Sequence, residues 1–403
     1  MVAKLEAQAI SGADVTSAGP APSSATKLIA PPDERSEGQP CVVHVVVAGE
    51  CGGAERFLVE LATRPRETRA RHVVALMTPN DRLARLFTSA GLDVHDRGPV
   101  RENPLAYLRR SFGVADVSWL AGVMRRERAS VAHLHTFQSH VVGTRAAHLV
   151  GARVIRTEHD TRYFVDPSCS PFTRWSLDRS DVSVAVSTAV ARFMRSRLPN
   201  APCLLETIRN GVDTARFAPL PETPSERPFT FGILCRLEPV KQVHMALQAV
   251  ARIGGVRLEV IGDGSEMPRL RRDAETLGIV DRVTFHGFKD DPREILGRVD
   301  VVVSASRSES LGLSLLEAQA MARPVIAFGV GGVPEVIVDG ETGWVLRDCS
   351  VGALATSMGA ASRAGARVRE MGQAARHYVE AEHSIDRMCS SYADLYARLS
   401  ERA

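Results

Sequence analysis

The stretch RSESLGLSLLEAQAMARPVIAFGVGGVPE, residues 307–335, decides how the rest of the chain is read. Just before it, Asp300-Val301-Val302-Val303-Ser304-Ala305 is a short apolar run suited to a buried parallel strand. The polar segment Ser306 to Ser310 ends that strand. Leu311-Gly312-Leu313 opens a helix in which Leu313, Leu316, Ala320 and Met321 recur at helical spacing. The helix stops at Ala322-Arg323, because Pro324 lacks a backbone donor and pushes its predecessor out of the helical region. Glu309 precedes the helix, beside free N–H groups whose partial positive charge favours anions. Glu317 lies about 12 Å further along if the span is wholly helical. A long ligand with an anionic middle suits this spacing, its phosphates at the helix start and a polar group on each acid. Taken without context, the pair reads first as a capping acid and a solvated helix acid.

The context comes from the surrounding motifs. Glu309 and Glu317, the Pro-led strand Pro324-Val325-Ile326-Ala327, the turn Gly331-Gly332-Val333-Pro334-Glu335 and the later turn Asp339-Gly340-Glu341-Thr342-Gly343 together resemble one family. It is the retaining glycosyltransferases of the GT-B fold, group 1, also called family 4. The resemblance runs from about Val42 to Ala397 and is most specific in the C-terminal half. It implies an α/β architecture of two Rossmann-like, doubly wound parallel-sheet lobes facing a cleft. The C-terminal helix is expected to cross back to the first lobe.

Length and composition agree with two lobes. At 403 residues the chain exceeds one ordinary core, and 44% hydrophobic content suits an α/β protein. The longest apolar runs fall well short of a membrane span. A net charge of +3 makes no case for nucleic acid. Seven scattered cysteines, odd in number and without Cys-x-x-Cys spacing, suggest neither a disulfide framework nor a zinc site. Residues 1–40 are rich in Ala, Ser, Pro and Gly and lack a signal peptide's apolar core, so a disordered leader and a cytoplasmic location are expected.

The expected organisation is an acceptor-binding lobe at 41–209, a linker at 210–228, a nucleotide-sugar-binding lobe at 229–380 and a returning helix at 381–403. In the first lobe an apolar strand at 42–47 meets the turn Gly49-Glu50-Cys51-Gly52-Gly53-Ala54-Glu55 and a helix. Glycines in such a turn let amides approach a phosphate, although a tight structural turn explains them as well. Strands at 73–78, 92–95, 130–135, 153–158, 182–186 and 204–208 alternate with helices, the pattern of a parallel sheet. Ligands of such sheets sit at the carboxyl ends of strands. Two ends are rich in chemistry: His133-Leu134-His135-Thr136 and Thr157-Glu158-His159-Asp160. A metal centre is not expected there, His133 and His135 being placed on opposite sides of the strand, with no helical His pair to help.

Arg209-Asn210-Gly211-Val212-Asp213 is a turn by composition, and the prolines at 219, 221, 224 and 228 mark a linker. After the strand 229–234, Arg236 and Lys241 bring two cations to a strand end and a helix start. Basic pairs Arg109-Arg110 and Arg125-Arg126, with Arg128, offer either a solvated face or a contact for anionic lipid headgroups.

What the family resemblance implies is more specific. Arg236 and Lys241 look like its diphosphate clamp, with Cys235 and Gln242 standing where glycines are usual. Glu309 would hold donor-sugar hydroxyls and Glu317 the ribose. Gly52, Gly53, Gly287, Leu311, Gly312 and Leu313 would border the nucleotide sugar, His135 would hold sugar hydroxyls, and His159 and Asp160 would face the acceptor. The implied reaction is same-face hexosyl transfer from a nucleotide-diphosphate sugar to a hydroxyl of a saccharide, lipid-linked saccharide or small molecule, in polysaccharide or glycolipid assembly. No cofactor and no obligatory metal are expected, since the two cations can replace one. A nucleotide-sugar epimerase and a non-catalytic nucleotide-sugar binder are the competing readings.

Overall fold

The computed structural model describes residues 39–47, 52–78, 80–98, 113–199, 203–221 and 227–401, and Gln39–Ala403 form one compact unit. Two wholly parallel sheets organise it. The first contains β1 (Cys41–Val46), β2 (Arg71–Leu76), β3 (Asp93–Asp96), β4 (Val131–Leu134), β5 (Arg153–Glu158), β6 (Val182–Ala185) and β7 (Leu204–Thr207). Its order is β3-β2-β1-β4-β5-β6-β7. The second contains β8 (Phe229–Leu234), β9 (Val256–Ile261), β10 (Val283–Gly287), β11 (Val301–Ser304), β12 (Val325–Phe328) and β13 (Gly343–Leu346), in the order β10-β9-β8-β11-β12-β13. In both sheets the first strand lies inside and the order reverses beside it, the doubly wound arrangement that opens a crevice at the strands' carboxyl ends.

Central strands are mainly apolar and buried because helices cover both faces. All six residues of β1, CVVHVV, are buried. The second sheet has a core on each face. One side packs Phe231, Leu247, Val260 and Phe328, and the other packs Val302, Leu315, Leu316 and Val325.

The chain re-enters the first lobe through its last helix, Ile385–Ser400. Ile385, Met388, Tyr392, Leu395, Tyr396 and Leu399 recur at helical spacing and share a core with Val42, Phe57, Val131 and Val182 of the first lobe. Gly211 lets the inter-lobe segment cross this helix's start, since a Cβ there would lie 2.4 Å from the Ser384 carbonyl oxygen.

Two expectations need adjustment. Strand β13 follows the Asp339–Gly343 turn and was not anticipated, because four residues closed by a turn carry little periodicity. His133 and His135 do not face opposite sides: residues two apart on a strand share a face, and their ring centroids are 4.2 Å apart. The leader and Arg109-Arg110 lie outside the described residues, while Arg125, Arg126 and Arg128 are exposed. Among the described residues no helix is long and apolar enough to cross a membrane.

Candidate active site

The decisive stretch forms a loop and a helix, Leu313–Ala320, whose N-cap Gly312 takes φ 101°, a conformation open to glycine. The loop is held from behind. Gly331 has φ 55°, and a Cβ on it would lie 1.9 Å from the Glu309 carbonyl oxygen. The Gly332 amide donates to that oxygen at 3.0 Å. Backbone packing thus aims the Glu309 side chain. Lys241 Nζ lies 2.6 Å from Glu309 Oε1, and Ser306 Oγ donates to the same oxygen at 2.7 Å. Cys235, Lys241, Ser306, Glu309 and Ser314 line one small pocket over the end of β8 and β11. Arg236 is exposed beside it. Burial pushes the Cys235 thiol up to about 12 despite the nearby cations Lys241 and Arg236, so it stands as a neutral thiol.

The first lobe supplies the opposite wall. Its glycine turn leads into the helix Gly53–Ala62, where the Gly52 amide donates to Glu55 Oε2 at 2.7 Å. Burial raises the Glu55 carboxyl, while that amide and the Arg236 charge pull it back down. A Cβ at Gly53 would lie 3.5 Å from Leu313 Cδ1, which sets this turn against the helix start of the second lobe. One turn along, Arg56 lies 3.5 Å from Glu317 Oε1 and donates to the Lys289 carbonyl at 3.4 Å. Glu317 is nearly enclosed, with 13% of its side chain exposed. Burial raises its carboxyl to about 7, against the pull of Arg56 and Arg216. Gly287, φ 67°, ends β10 at a register shift, and the following Phe288 ring is capped by the Arg82 guanidinium at 4.0 Å.

Further bonds cross between the lobes. Ser187 Oγ donates to the Ser310 carbonyl at 2.6 Å, and Ser310 Oγ donates to the His159 carbonyl at 2.8 Å. Glu335 of the glycine turn accepts from the Thr188 and Ala189 amides at 2.8 and 2.7 Å, at the start of helix Thr188–Arg197. Burial would raise its carboxyl, but those amides, the Thr188 hydroxyl and Arg209 hold it below its ordinary value.

The histidines are arranged otherwise than expected. His135 is buried, its Nε2 3.0 Å from His44 Nδ1 and its Nδ1 3.4 Å from His159 Nε2. Both ring nitrogens are engaged, so His135 stands one hydrogen bond behind His159. The Asp160 carboxylate is bonded by the Arg162 amide at 2.8 Å and by its guanidinium. Ligand atoms of His44, His133 and His135 lie within 4.8 Å of one another. Their ring nitrogens, however, are bonded by neighbours: His133 by Tyr396 OH at 2.9 Å and Thr157 Oγ1 at 2.7 Å, and His44 also by His72 at 2.8 Å.

Thus Lys241 and Glu309 touch, the Gly52-Gly53 turn meets Leu313, and Arg56 reaches Glu317, while Arg236 stands at the rim. Arg56, Ser306, His44 and His72 escaped the sequence reading. Arg56 follows directly on the Gly-Gly-Ala-Glu turn, but nothing in its spacing shows that it faces another lobe.

Comparison with known proteins agrees with this architecture. The family model described as glycosyl transferases group 1 matches residues 220–378, and that of glycosyltransferase family 4 matches residues 51–216. The N-acetyl-alpha-D-glucosaminyl L-malate synthase of Bacillus anthracis is 30% identical over 310 residues, 71% of this chain and 79% of the relative. A GDP-mannose-dependent alpha-(1-6)-phosphatidylinositol monomannoside mannosyltransferase of Mycolicibacterium smegmatis is 31% identical over 264 residues, 59% of this chain and 68% of the relative. Among solved structures, sucrose-phosphate synthase from Thermosynechococcus elongatus superposes with TM-score 0.79 at 19% identity, covering 90% of this chain and 100% of that one. Anabaena HepE in complex with UDP and glucose gives TM-score 0.74 at 20% identity, covering 88% and 99%. The chain belongs to the group 1 glycosyltransferases, family 4, and is a GT-B hexosyltransferase.

Proposed function

We propose that the chain transfers a hexosyl unit from a nucleotide-diphosphate sugar to a hydroxyl acceptor with retention at the anomeric carbon and without an obligatory metal. The observation that carries this reading is the Lys241–Glu309 contact of 2.6 Å beside the helix start at Leu313, with the nearly enclosed Glu317 on the same helix. Lys241 and Arg236 would take the diphosphate, whose negative charge grows as the sugar bond breaks, and the amides at Leu311 to Leu313 would add to that differential stabilisation. Glu309, released from Lys241 by the incoming phosphate, would hold donor-sugar hydroxyls and orient the anomeric carbon. Glu317 would accept from the ribose hydroxyls, and Gly287 would border the base. His159 and Asp160 would meet the acceptor, whose proton the leaving phosphate would take.

Removing a charge-assisted contact of this kind costs about 1.5–3 kcal/mol, or roughly 10- to 100-fold in rate. Lys241→Ala and Arg236→Ala are therefore expected to lose at least tenfold in transfer, measured with EDTA present. Near wild-type rates in both variants would sink the clamp.

Two acceptor classes are distinguishable. The L-malate synthase relative favours a small hydroxy acid, and the phosphatidylinositol mannosyltransferase relative favours a glycolipid. We place surface polysaccharide or glycolipid assembly first, because exposed Arg125, Arg126 and Arg128 offer cations to a lipid surface. Transfer to soluble hydroxy acids but not to lipid-linked acceptors would reverse that order.

A further inference from the structure

Four imidazoles form one hydrogen-bonded row through the first lobe. It starts at Thr68, at the end of the short helix Pro65–Thr68, whose Oγ1 lies 2.6 Å from His72 Nε2. His72 Nδ1 lies 2.8 Å from His44 Nε2, and His44 Nδ1 lies 3.0 Å from His135 Nε2. His135 Nδ1 lies 3.4 Å from His159 Nε2. Thr68, His72, His44 and His135 are buried, whereas His159 is half-buried on the loop after β5, where its carbonyl accepts from Ser310, the residue beside Glu309. Among the described residues no group bonds His159 Nδ1.

The far end gives the row a direction. Thr68 Oγ1 also lies 2.9 Å from the Arg64 carbonyl oxygen, which can only accept. If the hydroxyl donates there, His72 must donate to Thr68 from Nε2, His44 to His72, His135 to His44 and His159 to His135. Each neutral ring has one proton, and every proton then makes a bond. Run the other way, Thr68 donates to His72 and turns a lone pair on the Arg64 oxygen, so one bond is lost and a repulsion gained. Burial lowers the His72 imidazole to about 3 and His159 to about 4, and His44 and His135 well below the ordinary range, so the rings are neutral at pH 7.

We propose that this row is a tautomer lock: Thr68, acting through His72, His44 and His135, holds the proton of His159 on Nε2 and leaves Nδ1 as a bare acceptor for the hydrogen of an acceptor-substrate hydroxyl. The direction of the row stands on the geometry alone; the part given to His159 rests on the transferase reading above. No net proton moves along the row, because the Arg64 carbonyl cannot receive one. Thr68, His72 and His44 are positioning residues, and His159 is the group that touches substrate.

The test uses the full chain labelled with ¹⁵N-histidine, with His159 signals assigned by difference against His159→Gln. The wild type is expected to carry its proton on Nε2 of His159, and Thr68→Ser to keep it there. Thr68→Val deprives His72 Nε2 of its acceptor, so the row reverses and the proton appears on His159 Nδ1. Should Thr68→Val not fold, His72→Leu leaves His44 Nε2 in the same position, and the same reversal is expected. In transfer assays Thr68→Val should lose about three- to tenfold in kcat/KM for the acceptor, the value of one hydrogen bond, with the donor KM unchanged and the loss absent in Thr68→Ser. A wild-type Nδ1 proton, or a His159 pattern unmoved by Thr68→Val, overturns the lock. A reversed tautomer with unaltered acceptor kinetics overturns the role of His159. The NMR measurement needs no substrate, so its outcome is distinguishable from a failure of the transferase reading.

Discussion

Glu317 is a carboxyl whose state changes within the physiological range. Its raised value, about 7 against an ordinary 4.5, comes first from burial, with Arg56 pulling the other way. Between those two values the folded chain keeps a proton that the unfolded chain has released, so this group's contribution to stability declines as pH rises from about 4.5 to 7. Given the proposed ribose contact, nucleotide binding runs in the opposite sense, because the carboxylate accepts both hydroxyls more strongly than the protonated carboxyl does. Nucleoside diphosphate affinity is expected to rise about tenfold from pH 6 to pH 8, following the ionised fraction. Titration calorimetry of wild type against Glu317→Gln checks this; an equal pH slope in both would remove Glu317 from the ribose. Arg56 approaches one oxygen of that carboxyl from the other lobe, at 3.5 Å.

At the scale of elements, two turns beside the candidate site carry opposite backbone demands. Gln242 follows the short turn Pro239–Lys241 in the left-handed region, at φ 47°, which costs a side-chain-bearing residue about 1–2 kcal/mol. Glycine at that position has a conformational cause, and Gln242→Gly is expected to raise stability by up to about 1 kcal/mol in urea unfolding, part of the gain being lost to unfolded-chain entropy. Cys235 carries no such strain, since its φ is not positive. Gly331 is the opposite case. Gly331→Ala places a Cβ against the Glu309 carbonyl oxygen, and the loop must shift. Stability should fall by about 1–3 kcal/mol and kcat should fall with it; an unchanged kcat would show that the turn does not aim Glu309.

For the whole molecule, acid is the expected weakness. His44, His72, His133, His135, His140 and His159 are all held below the ordinary value of 6.5, burial being the first cause in each. Below that pH the unfolded chain binds protons that the folded chain refuses, so stability is lost as pH falls, by about 1.4 kcal/mol per unit for each histidine fully engaged. Melting temperature should therefore drop steeply below about pH 6, and a flat profile from pH 7 to 5 would contradict the buried imidazole network. The same network joins the lobes' architecture, because His133 bonds Tyr396 of the returning helix, and Thr157 bonds Tyr392 at 3.0 Å. Tyr396→Phe leaves His133 Nδ1 buried without its hydrogen-bond partner, which should cost about 1–3 kcal/mol in urea unfolding.

The parallel strands, the helix after Glu309 and the glycine turn behind it were set by local pattern: mainly apolar runs, helical spacing and the positions of Pro324, Gly331 and Gly332. Those features act over a few residues, so they show in the chain itself. What lies between distant segments did not. Arg56 meets Glu317 across 261 positions of sequence, and His44, His72, His135 and His159 come from four separate segments. Only the stacking of parallel strands brings such side chains together, because register and crossover decide which strand ends become neighbours. The physical cause is that hydrophobic periodicity specifies which face is buried, while the partner across that face is selected by tertiary packing.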